Sequence, residues 1–229
     1  MEPGPDDAPA LRRFAELVTG AADDVPLDLT ALAVAEVLRR TTDRAGALQT
    51  LDRLAETCPQ PTFPALVSHL FDVQRYGAPG SMQEPHHSLL DLVLASRRGV
   101  PIVTAVVVIE VGRRLDVPVR GVGMPMHFLL VDGNDPEAVV DPVGGAVVGR
   151  RGARERFELM ARGRAPWKDK YLRTVPARHI VIRMLSNLRA AYLHRGHTVP
   201  LALVDAMRAA VPELAAEQAG AARRSAAFN

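Results

Sequence analysis

The chain has one cysteine, Cys58, in 229 residues, so it can form neither an intramolecular disulfide nor a thiolate metal cage. Aromatic residues make up only 4%, too few for a base-stacking platform, and nucleic acid is not an expected partner. The longest apolar run, Val100 to Ile109, contains Thr104 and stops at Glu110, well short of the roughly 20 residues needed to span a bilayer. No membrane partner is expected. The opening Met1 to Pro9 is acidic and proline-rich, with neither a basic nor an apolar leader segment, which points to a cytoplasmic protein. Net charge is only +2, so no strong global field is available. The charge is nevertheless uneven: Arg150 to Arg195 holds thirteen Lys or Arg against Glu155, Glu158 and Asp169.

What is present is 48% apolar and 24% charged composition, enough for a sizeable core. After residues 1–10, read as disordered, residues 11–75 read as a helical bundle. Apolar residues recur at helical spacing in Leu11 to Val18, in Asp28 to Arg40 with Asp28 as N-cap, and in Asp43 to Glu56. The prolines around Cys58 break this pattern, and Thr62 starts a further helix. Residues 76–150 follow with a loop from Tyr76 to Pro85, a helix from His86 to Ser96 and a buried helix from Ile102 to Leu115, with Pro101 at its first position. The valines of that last segment favour a strand, but its length does not. Short strands are then expected at Val119 to Gly123, His127 to Val131, Ala138 to Asp141 and Ala146 to Val148. Residues 151–229 return to helix. Arg178 to Arg195 is the best amphipathic segment, and Leu201 to Val211 and Glu213 to Arg223 pack back on it.

The chemistry concentrates between Gly99 and Gly145. His127 opens one apolar strand and Asp141 closes the next, so neighbouring strands can bring an imidazole and a carboxylate together. A carboxylate on one ring nitrogen fixes the tautomer and raises basicity, which is the orienting half of a nucleophile triad. The bland alternative is a structural histidine beside an Asp-Pro turn. A thiol nucleophile would belong at the start of the preceding helix, where unpaired N–H groups and the dipole favour a thiolate. Pro101 and Ile102 occupy that place.

In order along the chain, LDRLA, SHLFDVQRYG, EPHHSLLDLVLASRRGVPI, EVGRRLDVPVRGVGMPMHFLLV, VVDP and RMLSNLRAAYLHRG resemble the transglutaminase-like superfamily. The closer resemblance is to its second core family, the SirB group with a tetratricopeptide-like tail, over about residues 11 to 212. The resemblance implies an α+β fold: a papain-like or transglutaminase-like core, with a central helix on a small antiparallel sheet, flanked by the N-terminal bundle and the C-terminal helices. It implies that His127 and Asp141 match the superfamily's histidine and aspartate, that the nucleophile position falls near Pro101 and Ile102, and that the cysteine is usually lost in this group. Met126 stands where a glycine is usual, His87 where an asparagine is, and Asp116 where another glycine is. A bulky Met126 narrows the cleft beside His127.

Other nucleophiles are poorer. Cys58 lies outside the matched core and reads as a small buried residue. Thr104 is one turn beyond the expected position, where a helical hydroxyl ordinarily bonds to a carbonyl one turn back. Ser88, at a helix start, reads as a cap. His86 and His87 with His127 and Asp141 make a conceivable zinc or iron set, but neighbouring helical histidines diverge by about 100°, so neither a metal nor a cofactor is expected. The residues expected to line the cleft are His87, Met124, Met126 and Arg120. Arg183 and Arg189 read as the solvated face of their helix, and Trp167 as a lid or anchor on the core. The expected function is recognition of a peptide, protein or small molecule in the His127 cleft without a thiol. The alternative is an enzyme in which His127, oriented by Asp141, acts as general base in acyl transfer, amide or ester hydrolysis or a cyclisation. An acidic protein docking on residues 150–195 is a third possibility.

Overall fold

The computed structural model describes residues 8–217. Four helical segments open the chain: α1 (Ala8–Val18), α2 (Leu27–Leu38), α3 (Arg44–Glu56) and α4 (Phe63–Ser68), the last running into a π-helical turn at His69–Val73. Residues 8–10, expected to be disordered, are the first turn of α1. Asp43 caps α3 by accepting from the Gly46 N–H, and Thr62 caps α4 through the Ala65 N–H. Asp28 does not cap α2. Pro26 holds that position, and Asp28 lies inside the first turn because two arginines of a later helix bind its carboxylate.

The helix expected from His86 to Ser96 is two pieces, a 3₁₀ turn at Pro85–Ser88 and α5 (Leu90–Ser96), because Leu89 between them is extended. The loop before it contributes β1 (Ala78–Pro79), which pairs in parallel with β2 (Arg98–Gly99). The central helix α6 (Pro101–Arg114) has Pro101 at its first position. Ten of its residues, from Ile102 to Gly112, are buried. A helix apolar on all sides belongs in a core, and burial at about 1.5–3 kcal/mol per large aliphatic side chain overrides the valines' preference for a strand.

A tight turn, in which the Val117 N–H donates to the Gly112 carbonyl at 2.9 Å, sends β3 (Val119–Val122) back along α6. A methyl group on Gly112 would approach a Val119 methyl to 2.7 Å, so the small residue lets helix and strand meet. β3 pairs antiparallel with β4 (Leu129–Asp132), and β4 with β5 (Val139–Val140). The strand expected at Ala146 to Val148 is reduced to one bridge between Val147 and Val140. The sheet has two apolar faces. Leu130 and Val140 join the main core with α6, while Leu129, Val131 and Val139 pack on α7 (Gly149–Ala161) with Ala153 and Phe157. Trp167 and Tyr171 stack edge-on and tilted against Phe157, the anchoring role expected of Trp167.

The C-terminal helices α8 (Ala177–Arg195) and α9 (Thr198–Ala210) lie against each other and against α1 and α2. Residues 212–217 start a further helical turn, and the rest of the segment expected up to Arg223 lies outside the described residues. No helix among the described residues is long and apolar enough to cross a membrane.

Candidate functional site

The β4–β5 register pairs Leu130 with Val140 and Val131 with Val139. One step further places Asp141 opposite Leu129, on the face that His127 shares two residues away, a diagonal within side-chain reach. The side chains meet: His127 Nε2 lies 3.0 Å from Asp141 Oδ1. Because β3 doubles back along α6, this pair sits at the end of the sheet nearer the α6 N-terminus, where Pro101 and Ile102 begin the helix.

Asp141 is buried, and its carboxylate is fully engaged. Oδ1 also accepts from the Val143 N–H at 2.8 Å, and Oδ2 lies 2.9 Å from Arg156 Nε, an ion-pair contact without hydrogen-bond geometry. Burial raises the carboxyl's pKa, but the hydrogen bonds from His127 and the Val143 N–H and the charge of Arg156 outweigh it and hold it below the ordinary range. The turn that follows is fixed by the glycines of the VVDPVGG run. The Gly145 N–H donates to the Asp141 carbonyl, and Gly145 has a φ of 72° at a place where a β-carbon would come within 2.2 Å of the Phe71 ring of the π turn.

A carboxylate only accepts, so the ring nitrogen facing it carries the proton. Nε2–H donates to Asp141, and Nδ1 is left as an acceptor with no hydrogen bond among the described residues. The imidazole keeps 14% side-chain exposure. The dyad can therefore accept a hydrogen bond or a proton at Nδ1.

The segment delivering His127 is itself unusual. The His127 N–H donates to the Met124 carbonyl at 3.2 Å, closing a four-residue turn with Pro125 second and Met126 third. Met126 has a φ of 67°, the pattern of a type II turn whose third place ordinarily takes glycine. A β-carbon there costs about 1–2 kcal/mol. Met126, the residue before His127, is also 53% exposed, while Met124 is fully buried.

Arg183 of α8 does not lie on a solvated face. Its Nη1 donates to the Met124 carbonyl at 2.9 Å and its Nη2 to the His127 carbonyl at 3.0 Å, and the guanidinium lies 5.8 Å from the Phe128 ring centre. Burial lowers its pKa. Arg189 matches its expectation more closely, half exposed and paired with Asp205. Neither Arg156 nor Arg183 figured as a site residue in the sequence. Three residues advance a helix by about 300°, so Arg183 stands about 60° from Ile180, on the border of the apolar stripe, and that phase was the one available signal.

The remaining candidates do not join the dyad by any hydrogen bond or ion pair among the described residues. The Thr104 and Ser88 hydroxyls are buried without partners, so Thr104 makes no bond to the carbonyl a turn back, and Ser88 caps nothing. His87 accepts the Ser81 N–H at Nδ1, and burial and the charge of His86 lower its pKa. Instead of diverging, the His86 and His87 rings touch, with centres 4.1 Å apart. Arg120 is exposed on β3 and borders another cavity. The Cys58 thiol donates to the Gln60 carbonyl at 3.3 Å and does not reach His127. No group of three or more His, Cys, Asp or Glu among the described residues is arranged to hold a metal ion.

Two cavities lie away from the dyad. One of about 330 Å³ is lined by Gln83, Glu84, His194, Arg195 and His197. The larger, about 1270 Å³, opens between the α1–α2 connection, the C-terminal half of α6 and the outer edge of β3. Its wall contains an ionic node built around two buried carboxylates. Asp28 Oδ2 accepts from Arg113 at 3.0 Å and Arg114 at 2.8 Å, Glu110 Oε2 accepts from the same two arginines at 2.8 and 3.0 Å, and Arg114 Nε also binds Asp52 at 2.6 Å. Burial and the nearby Asp28 charge raise the Glu110 pKa. Burial also acts upward on Asp28, but Arg114, the Leu29 N–H and Arg113 bring it below its ordinary value.

Comparison with known proteins agrees with this architecture. The "UPF0162 protein" of Xylella fastidiosa strain Temecula1 is 38% identical over 128 residues, covering 52% of this chain and 45% of its own length. The counterpart in strain 9a5c gives the same figures. A "UPF0162 protein" of Pseudomonas aeruginosa is 36% identical over 128 residues, covering 55% and 46%. The chain thus spans about half the length of the curated relatives it matches. No solved structure matches. A family model described as "Transglutaminase-like superfamily" matches residues 28–186, a stretch that runs from α2 into α8 and contains the central helix, the three-stranded sheet, His127, Asp141 and Arg183. With that match over most of its length, and with the helix-on-sheet core and paired imidazole and carboxylate in place, the chain belongs to the transglutaminase-like superfamily.

Proposed function

We propose that this is a transglutaminase-like protein that has lost the thiol nucleophile and uses the His127–Asp141 site to recognise a ligand. The observation that carries the reading is Pro101 and Ile102 at the start of α6 combined with an intact 3.0 Å imidazole–carboxylate pair. Removing the nucleophile of a triad that acts as a unit lowers the rate about a million-fold. The surface left behind still has recognition chemistry. Nδ1 of His127 accepts a hydrogen bond, and Met126, held in a strained backbone conformation, offers an exposed polarizable side chain of the kind that adapts to varied partners. A peptide suits both, with an amide N–H for Nδ1 and an apolar side chain for Met126. Placement in the SirB group, with α8 and α9 as the start of a tetratricopeptide-like tail, a cytoplasmic setting and an acidic partner for the arginines of residues 150–195 belong to the same reading. No cofactor is invoked.

The test is turnover on a panel of amides, peptides and esters by the wild-type protein and by His127→Ala. The reading expects equal, background rates. Activity that disappears in His127→Ala contradicts it and favours a second reading, in which His127 is a general base. One observation favours that alternative: Asp141 holds Nε2 and is itself held ionised, which leaves Nδ1 as the basic nitrogen, the orientation a base acting on water or substrate requires.

A further inference from the structure

We infer that Arg183 is the positioning residue of the His127 site, a clamp from α8 that holds the strained turn Met124–Pro125–Met126–His127 in the shape that aims the imidazole. The turn has one internal hydrogen bond, from the His127 N–H to the Met124 carbonyl, and it must keep Met126 at a φ of 67°. A single backbone bond is weak support for a non-glycine residue in the left-handed region. Arg183 supplies the rest. Its two terminal nitrogens reach the carbonyls of the first and last residues of the turn, at 2.9 and 3.0 Å. Charge-assisted bonds of this kind are about twice as strong as neutral ones.

The planar fork matters, because one guanidinium spans both carbonyls with fixed spacing whereas a lysine ammonium is a single point. Arg183 has no carboxylate partner among the described residues. Its buried charge, over the face of Phe128, is instead directed at the two carbonyls, which it fixes in place. Because the Met124 carbonyl also takes the His127 N–H, the same side chain engages the backbone on both sides of the His127 Cα. With Asp141 and Arg156 fixing the ring from the side of α7, the imidazole is held at both ends. The inference rests on His127 being the working group of the site, but it requires neither turnover nor an identified ligand.

It is tested on the intact chain by nitrogen-15 NMR of the His127 ring, following solvent exchange of the Nε2 proton and the ring's tautomer in wild type, Arg183→Met, Arg183→Lys, Met126→Gly and the double variant Arg183→Met/Met126→Gly. Loss of two charge-assisted bonds predicts exchange about tenfold or more faster in Arg183→Met, an intermediate effect in Arg183→Lys, and mixed tautomers in the first. Glycine adopts the turn without strain, so the double variant recovers slow exchange and the single tautomer. A merely structural arginine would not be rescued by a glycine in the β3–β4 connection, outside its own helix. If Arg183→Met does not fold, recovery of a folded protein with the wild-type ring signal in the double variant supports the clamp, and failure of both overturns it. Wild-type exchange in a folded Arg183→Met protein also overturns it. Because no ligand enters the measurement, its failure leaves the ligand-recognition reading to be judged separately by turnover.

Discussion

Among the described residues, buried carboxylates meet arginines in two places, and the two differ in what they leave over. In the node beside the large cavity, Asp28 and Glu110 face Arg113 and Arg114, and Arg114 uses its nitrogens on Asp28, Glu110 and Asp52 together. That arrangement ties α2, α3 and α6 to one another. At the dyad, Asp141 accepts hydrogen bonds from His127 and Val143 and pairs by charge with Arg156, but the imidazole keeps an unused acceptor one residue after a strained, exposed methionine. The larger cavity goes with the ionic node, and the chemically open group lies outside both cavities. On the reading proposed above, the oriented imidazole marks the site and cavity volume does not.

The largest effect that can break this comparison is expected at Arg114. Arg114→Met leaves two buried carboxylates short of a partner, and removing one member of a buried ionic set costs about 3–5 kcal/mol. Urea unfolding measures it, and a loss under about 1 kcal/mol would mean that the node is not structural. Next comes Asp141→Asn, expected to cost about 1.5–3 kcal/mol for the weakened charged hydrogen bonds. The pH dependence has a defined sign. The Asp141 pKa is lowered in the folded protein, so its contribution is complete above the unfolded carboxyl value of about 3.9 and is lost as pH falls through the folded value. The stability gap between wild type and Asp141→Asn should therefore shrink in acid.

Glu110 should behave oppositely, with the smallest effect. Its folded pKa is raised, so its contribution is complete below about 4.3 and is lost as pH rises through the folded value. Gln resembles the protonated form, so Glu110→Gln is expected to change stability at neutral pH by less than about 1 kcal/mol and to remove that decline. Denaturant midpoints from pH 4 to 8 check this, and a wild-type decline retained in the variant would show that Glu110 does not titrate as its surroundings dictate.

Much of this was legible in the chain. Pro101 at a helix start, the length of the valine-rich segment and the period-two runs at Val119 to Gly123 and His127 to Val131 express local physics, and α6, β3 and β4 follow them. The pairing of His127 with Asp141 was legible too, because antiparallel register is regular over short distances. What escaped depends on assembly. Leu89 breaks a helix that periodicity carries straight through, and Asp28 looks like a cap until Arg113 and Arg114 arrive from 85 and 86 residues away. Arg183 reads as solvent-facing because a helical pattern says nothing about carbonyls supplied by a turn 56 and 59 residues earlier. Met126 was visible as an unusual residue, but only its positive φ explains why a glycine would be at home there.

The central claim is that an acyl-transfer framework keeps its oriented imidazole while the attacking sulfur is absent. Its most direct test restores the sulfur. In Pro101→Cys, made with Cys58→Ser, a thiol at the α6 N-terminus and near His127 should have a lowered pKa. At pH 6 it should then react with iodoacetamide about tenfold or more faster than Cys58 in the wild-type chain, and adding His127→Ala should remove the advantage. A cysteine at position 101 that reacts no faster than Cys58, or equally fast with and without His127, would contradict the account.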